Sequence, residues 1–317
     1  MKAIRIHELG DASVLRLDEI EKPEPKAGEV LIKVAVAGIN YADTMLRTGT
    51  YLMKPALPFV LGFEVAGTIE AVGEDVKSWQ AGKRVMANIP GGGYAEYAVA
   101  KASQLYPIPE GLGFGEATAL LVQGLTALGL LRDLKANQTI LIHAAAGGVG
   151  SLLVQLAKHK GAKVIGTAST AEKLETVKSL GADVAINYTE DDWVQQVLSQ
   201  TNDKGVDYLI EMTGGEVGSQ NIHCLAERGT MFIYGAASGQ DFKLSALAIL
   251  RKDLTIKGYT LYQETPQDLA QFAQELTKNF AEGRLKVMVT EFPLEKAAEA
   301  HRALEGRKTM GKIVLTT

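Results

Sequence analysis

One cysteine, Cys224, stands in a chain of 317 residues, so no internal disulfide can form and a reducing compartment is expected. Buried free cysteine behaves as a small hydrophobe, which is the reading adopted for Cys224. Long apolar runs are missing too. The longest, 117–131, is interrupted by Gln123, Gly124 and Thr126 and is shorter than the ~20 residues of a membrane helix. The first residues enter an alternating strand without the apolar region of a signal peptide. These absences predict a cytoplasmic protein with no membrane span. Basic residues are dispersed and the formal net charge is −4, which argues against a nucleic-acid partner. The five histidines, His7, His143, His159, His223 and His301, show no ligand spacing, so no metal site is expected and each reads as a surface or packing residue. No internal repeat and no low-complexity tract is present.

What remains is ordinary globular composition, 46% hydrophobic and 22% charged, in a chain long enough for two domains. The segment 139–173, TILIHAAAGGVGSLLVQLAKHKGAKVIGTASTAEK, is its most informative part. It reads as a buried parallel strand, a glycine-rich turn, a helix over 151–159 and a second strand over 163–167. Ala145, Gly147 and Gly150 form an A-x-G-x-x-G fingerprint. A missing side chain at Gly147 lets backbone approach a pyrophosphate, and at Gly150 lets the helix pack on the strand. The helix N-terminus, with its amides and positive dipole end, faces the phosphates. At the end of the second strand an NAD site usually carries Asp or Glu for the ribose hydroxyls. This chain has Thr167, Ala168 and Ser169, with Lys173 in the next turn, a set that accepts a 2′-phosphate and so favours NADPH.

Before about residue 122 the chain reads as short strands punctuated by Gly and Pro (3–6, 29–38, 63–72, 84–88, 94–100), which predicts a mainly β, barrel-like domain. From 125 to about 259 the pattern becomes βαβ. Strands are expected at 139–143, 163–167, 183–187, 206–211, 230–235 and 254–258, with helices at 151–159, 171–180, 191–200 and 216–227, giving a doubly wound parallel sheet. An amphipathic helix around Leu269, Phe272, Ala273 and Leu276 follows, then a helix over 294–304 and a last strand over 312–315. This tail has no βαβ partner. It is expected to return to the first domain, so that a Rossmann domain, 123–261, is inserted into a discontinuous domain, 1–122 with 262–317. The apolar, β-prone strand at 253–259 (Leu254, Ile256, Tyr259) would leave a bare sheet edge, and a homodimer is expected to cover it.

Several segments, GINYADTMLRTGTY (38–51), LGFEVAGTIEAVG (61–73), AGKRV (81–85), GGYAEYAVA (92–100), AAAGGVG (144–150), GAKVIGT (161–167) and MGKIVL (310–315), occur in an order that resembles the medium-chain dehydrogenase/reductase superfamily, and within it the zinc-free quinone oxidoreductase, or zeta-crystallin-like, branch. The resemblance implies an α/β fold, a Rossmann doubly wound sheet inserted into a GroES-like barrel domain. It also implies an enzyme that passes hydride from NADPH to a small electrophilic acceptor, a quinone or an α,β-unsaturated carbonyl compound. Enoyl thioester reduction, or a non-catalytic NADPH-binding role, is the alternative. Where zinc-dependent members have ligands this chain has Asn40 and Phe63, neither of them a competent zinc ligand. Glu64, beside Phe63, is expected to serve as a structural hydrogen-bond partner or, less simply, as a catalytic acid.

From the same resemblance, Asn40, Tyr41 and Tyr51 line the reaction site with Gln123 and Thr126. Asn40 is expected to donate to the acceptor carbonyl and Tyr51 to deliver a proton, against the structural alternatives of a turn residue and a loop aromatic. Cofactor contacts are implied for Gln123, Thr126, Ala146, Gly147, Gly148, Val149, Thr167, Ser169, Lys173, Tyr188, Tyr234, Gly235, Ala236 and Lys312. Ser169, Lys173 and Tyr188 are placed near the 2′-phosphate, Tyr234, Gly235 and Ala236 on the nicotinamide side, and Lys312 at a phosphate.

Overall fold

A computed structural model describes residues 1–51 and 53–317. The chain divides into two compact units, 1–122 with 287–317, and 123–286.

The first unit opens with β1 (Lys2–Ile6), β2 (Leu15–Glu19), β3 (Glu29–Ile39), α1 (Tyr41–Thr48), β4 (Phe59–Val60), β5 (Glu64–Val72), β6 (Arg84–Asn88), β7 (Tyr97–Lys101), β8 (Leu105–Pro107) and α2 (Phe114–Thr118). The second unit holds α3 (Leu125–Leu130), β9 (Thr139–Ile142), α4 (Gly148–His159), β10 (Lys163–Ala168), α5 (Ala171–Ser179), β11 (Val184–Asn187), α6 (Trp193–Ser199), β12 (Val206–Glu211), α7 (Gly215–Cys224), β13 (Leu225–Ile233), α8 (Ala246–Lys252), β14 (Thr255–Gly258) and α9 (Pro266–Ala281). The chain returns to the first unit with β15 (Val289–Pro293), α10 (Ala297–Glu305) and β16 (Lys312–Thr316).

In the first unit the long strand β3 is the spine. It pairs antiparallel with β5, β7 and β16, in a sheet of order β15-β16-β3-β5-β6-β8, while β2-β1-β4 form a smaller sheet. Alternating apolar side chains such as Ile32, Val34, Val65, Val85 and Ile313 meet in one core. The register sets Gly38 opposite Glu64 on one side and Val314 on the other, so three sequence-distant segments meet at one end of β3.

The second unit is a six-stranded parallel sheet of order β11-β10-β9-β12-β13-β14, the doubly wound order whose direction reverses between β9 and β12. The strand β9, TILI, is buried over Ile140–Ile142, because helices cover both faces of such a sheet. Helix α4 buries Leu152, Leu153 and Leu156, and Lys158 and His159 in its last turn complement the helix dipole.

Three expectations need correction. Residues 262–286 belong with the nucleotide-type unit rather than with the first. Helix α9, started by Thr265 with Asp268 as a capping box and Pro266 at its first turn, buries Ala273 and Leu276, and Leu276 lies against Gly124 beside α3. Arg132 reinforces that placement by pairing with Glu264 and lying over the Phe272 ring, and Gln155 binds the Lys286 backbone through both ends of its amide, at 3.0 and 2.7 Å. Second, β13 begins at Leu225, not 230, because Leu225 is fully buried and already pairs with Val206 across a register shift. Third, helices α1 and α2 lie where only strands were expected. Helix α1 turns inward the polar residues Asp43, Thr44 and Arg47 beside Leu46, so its buried face is not the apolar one that periodicity looks for.

Candidate functional site

In the second unit the turn after β9 stands at the point where the sheet order reverses, outside the carboxyl ends of the strands. Gly147 is the N-cap of α4 and makes no side-chain cap, so the first-turn amides of Gly148, Val149 and Gly150 emerge at an open helix end. The helix starts three residues earlier than the periodicity indicated, bringing those amides into the turn. A Cβ at Gly150 would stand 2.2 Å from the Ala144 carbonyl oxygen, and one at Gly148 would stand 2.2 Å from the Gln123 amide. Gln123, in the π-helical turn Ala119–Gly124, is buried, and its Oε1 has no hydrogen-bond partner among the described residues. Thr126 is buried one turn further on, and Ala146 is buried within the glycine turn. An orphaned acceptor beside an open helix end fits a dinucleotide with amide and phosphate groups.

At the end of β10, Ser169 is partly exposed, and Thr170 caps α5 by accepting from the Lys173 amide. Lys173 therefore rises from the first turn of α5, close to a strand end that carries no carboxylate. Tyr188 follows β11 and donates its amide to the Ala168 carbonyl at 3.2 Å. Tyr234, Gly235 and Ala236 follow β13, the Tyr234 amide donating to the Glu211 carbonyl at 3.0 Å. Burial pushes the Tyr234 hydroxyl far above its ordinary pKa, with the Glu211 carboxylate adding to the effect, so it stays protonated.

Thr167, for which a cofactor contact is expected, faces inward. Its side chain is fully buried and its hydroxyl lies 2.8 Å from His143 Nδ1. The His143 Nε2 lies 2.6 Å from Asn221 Oδ1, and the Asn221 amide nitrogen donates to Glu211, whose other oxygen accepts from Thr213 Oγ1 at 2.7 Å and the Gly214 amide at 2.6 Å. With the Asn221 nitrogen committed to a carboxylate, its oxygen must accept. This network assigns the Nε2–H tautomer to His143, with Nδ1 accepting from Thr167. Burial lowers the His143 pKa, so the ring is neutral. His143 had read as a surface or packing residue; it is a buried polar hub linking the ends of β9, β10 and β12, and no sequence spacing signals it.

In the first unit, Asn40 directly follows β3 and is the N-cap of α1. It forms a capping box with Asp43, and its side-chain Nδ2 donates to Glu64 Oε1 at 2.8 Å while Oδ1 accepts from Lys312 Nζ at 2.9 Å. Lys312 also donates to Glu64 Oε1, and Glu64 Oε2 accepts from the Val122 amide at 3.1 Å. Glu64 and Lys312 are both fully buried. Lys312, for which a phosphate contact is expected, has its ammonium bonded to Glu64 and Asn40. Tyr41 opens α1 and is half-buried, and Tyr51 tilts against Phe63 with ring centroids 6.0 Å apart. Phe63 is a core residue. Among the described residues no group of His, Cys, Asp and Glu is placed to hold a metal ion, and no helix is long and apolar enough to cross a membrane.

A doubly wound sheet with a glycine turn at its reversal point, joined to a β-rich unit of this topology, defines a nucleotide-dependent dehydrogenase or reductase architecture. Residues 26–110 match the alcohol dehydrogenase GroES-like domain and residues 148–278 the zinc-binding dehydrogenase domain. Across 99% of its length the chain is 36% identical to a quinone oxidoreductase of Rattus norvegicus, covering 97% of that protein. Among solved structures it superposes on Escherichia coli quinone oxidoreductase complexed with NADPH with a TM-score of 0.95 at 34% identity, each chain fully covered. A mycobacterial protein, likewise complexed with NADPH, gives 0.94 at 37% identity, again over the whole of both chains. The chain belongs to the medium-chain dehydrogenase/reductase superfamily, in its quinone oxidoreductase branch.

Proposed function

We propose that this chain is an NADPH-dependent oxidoreductase that passes hydride to quinones or to alkenes conjugated to a carbonyl. The observation that carries the reading is the open N-terminus of α4 at Gly147–Gly150 beside a strand end, Ala168–Ser169, that lacks a carboxylate and is followed by Lys173. The strand end itself presents no carboxylate to a ribose 2′-phosphate, the first acid beyond it being Glu172 in α5, and Ser169 and Lys173 supply a hydroxyl and a cation to it. Relatives solved with NADPH support the same choice.

When bound, NADPH supplies the hydride. The chain's own residues bind, orient and manage charge. Reduction of a quinone or an enone gathers negative charge on oxygen, and Asn40 offers an amide hydrogen to it. Tyr51 delivers the proton, and Tyr41 flanks Asn40 as the next residue in the chain. Asn40 and Phe63 occupy positions that bear zinc ligands in other branches, and neither side chain ligates zinc, so neutral donors carry this task. Such donors stabilise a delocalised anion better than a simple alkoxide, which favours conjugated acceptors over saturated alcohols.

A homodimer in the cytoplasm completes the reading. Among the described residues, strand β14 ends the parallel sheet with one side unpaired, and Leu247 and Leu250 of the neighbouring α8 are largely exposed.

The test follows NADPH consumption with a quinone, an α,β-unsaturated aldehyde and an enoyl thioester, each repeated with NADH. Turnover with the quinone or the aldehyde, and a clear preference for NADPH, is expected. Turnover confined to the thioester would move the chain to enoyl reduction, and tight NADPH binding without any turnover would make it a binding protein.

A further inference from the structure

The ladder β16-β3-β5 brings together Lys312, the first residue of β16, Glu64, the first of β5, and Asn40, just past the end of β3. They are 248 and 24 residues from their partners along the chain, yet all three polar groups bond one another. An N-cap asparagine ordinarily turns its side chain back onto its own helix. Asn40 and Asp43 form the capping-box pair at the start of α1, the Asn40 backbone amide donating to Asp43 Oδ2 at 2.7 Å. An ion pair brackets the same side chain from both ends of its amide.

The two ions are not interchangeable as partners of an amide. An ammonium only donates, so it takes Oδ1; a carboxylate only accepts, so it takes Nδ2. The flip of the Asn40 amide is set by this pair, and the second Nδ2 hydrogen is left over as a donor. Both ions are fully buried and sum to no net charge, so orientation is gained without placing an excess charge near a developing anion. Space is held for them as well: a Cβ at Gly38 would stand 2.3 Å from Glu64 Oε1 and 2.7 Å from Lys312 Cε. The Val122 amide anchors the far oxygen of Glu64 and keeps the carboxylate from rotating away.

We propose that Glu64 and Lys312 are positioning residues for Asn40, a buried ion pair that clamps its amide as a hydrogen-bond donor toward the acceptor oxygen. The inference rests on the reading of Asn40 as the acceptor contact. It assigns Lys312 to Asn40 and not to the nucleotide.

A double-mutant cycle tests it, with steady-state turnover on the quinone, NADPH affinity from a fluorescence titration, and melting temperature measured for each protein. Asn40→Ala is expected to lower kcat about 10- to 1,000-fold, the usual loss for one oxyanion-type donor. Lys312→Met should lower kcat by at least about tenfold, leave the NADPH Kd within about twofold, and have almost no further effect on top of Asn40→Ala, as coupled groups do. If a lone buried carboxylate prevents Lys312→Met from folding, Glu64→Gln combined with Lys312→Met removes both charges and is read in the same cycle. In protein labelled with 15N-asparagine, the two Asn40 side-chain hydrogens, identified by their loss in Asn40→Ala, should exchange slowly in the wild type and faster in either variant. A large rise in NADPH Kd with kcat intact would return Lys312 to the phosphate. Losses that add in full to Asn40→Ala, or wild-type turnover in the charge-neutral pair, would equally overturn the clamp. Full activity of Asn40→Ala is a separate failure, that of the acceptor contact itself.

Discussion

Asp43 lies wholly out of solvent in the first turn of α1, and burial raises its pKa from 3.8 to about 7, the bond from the Asn40 amide and the Lys312 charge opposing the rise. Its proton uptake is tied to folding. Above about pH 7 the carboxylate is ionised in folded and unfolded chains alike, and the folded state bears the full cost of burying it. Between about pH 7 and 4 the folded chain takes up a proton that the unfolded chain does not, so this group makes stability rise as pH falls. His301 acts the other way. Burial lowers its pKa from 6.5 to about 3, so from pH 6.5 downward the unfolded chain binds a proton first and stability falls. Asp43→Asn, whose side-chain oxygen still accepts from the Asn40 amide, should therefore raise the melting temperature most near pH 8, by an amount that shrinks steadily toward pH 4.5. Melting curves across that range check it, and a pH-independent difference would show that Asp43 is ionised throughout. Neither group was recognisable from its neighbours in the chain, because burial of a polar side chain is decided by what packs over it.

At the scale of elements, α4 and its turn give two glycines different duties. The Cβ of Gly150→Ala would press on the Ala144 carbonyl at 2.2 Å, so the helix must shift off β9, a cost of about 1–3 kcal/mol typical of overpacking. Gly147 has an extended backbone at φ −75°, which alanine adopts freely, and its Cβ would meet only the Ala144 oxygen at 3.1 Å. The expected outcome is a crossed pair. Gly150→Ala melts lower without any nucleotide, whereas Gly147→Ala melts near the wild type and loses NADPH affinity. Thermal melts and nucleotide titrations on both variants check it, and indistinguishable behaviour of the two would remove the distinction. The unit carrying them was legible because β9, the turn and α4 are contiguous, with strand-like and helix-like apolar periods visible on either side of the glycines. Helix α1 was not legible, since its inward face is built of Asp43, Thr44 and Arg47 beside Leu46, and Arg47 is held there by Glu305 of α10.

For the whole molecule, the open side of β14 and the exposed Leu247 and Leu250 of α8 support pairing with a second copy, since a bare edge is a ready template for another chain. Tyr259 does not belong to that edge: it is buried, with its hydroxyl donating to Glu264 at 3.0 Å. Light scattering at micromolar concentration should give twice the mass of one chain, and replacing Leu247 and Leu250 by lysine should shift the protein toward monomer without lowering NADPH affinity. A monomeric wild type would refute the pairing.

Local order is what could be read from residues alone. Short apolar, β-prone runs marked β3, β6 and β12, the glycine spacing marked the turn before α4, and the lack of an acid at the end of β10 marked the 2′-phosphate preference, because each depends on neighbours within one or two turns of chain. The packing of 262–286 onto the sheet unit, the inward turn of Thr167 and His143, and the clamp of Glu64 and Lys312 on Asn40 were not readable in that way. Each requires groups far apart in sequence to be brought within hydrogen-bond reach, and the cost of leaving a buried polar group unpaired then chooses their partners.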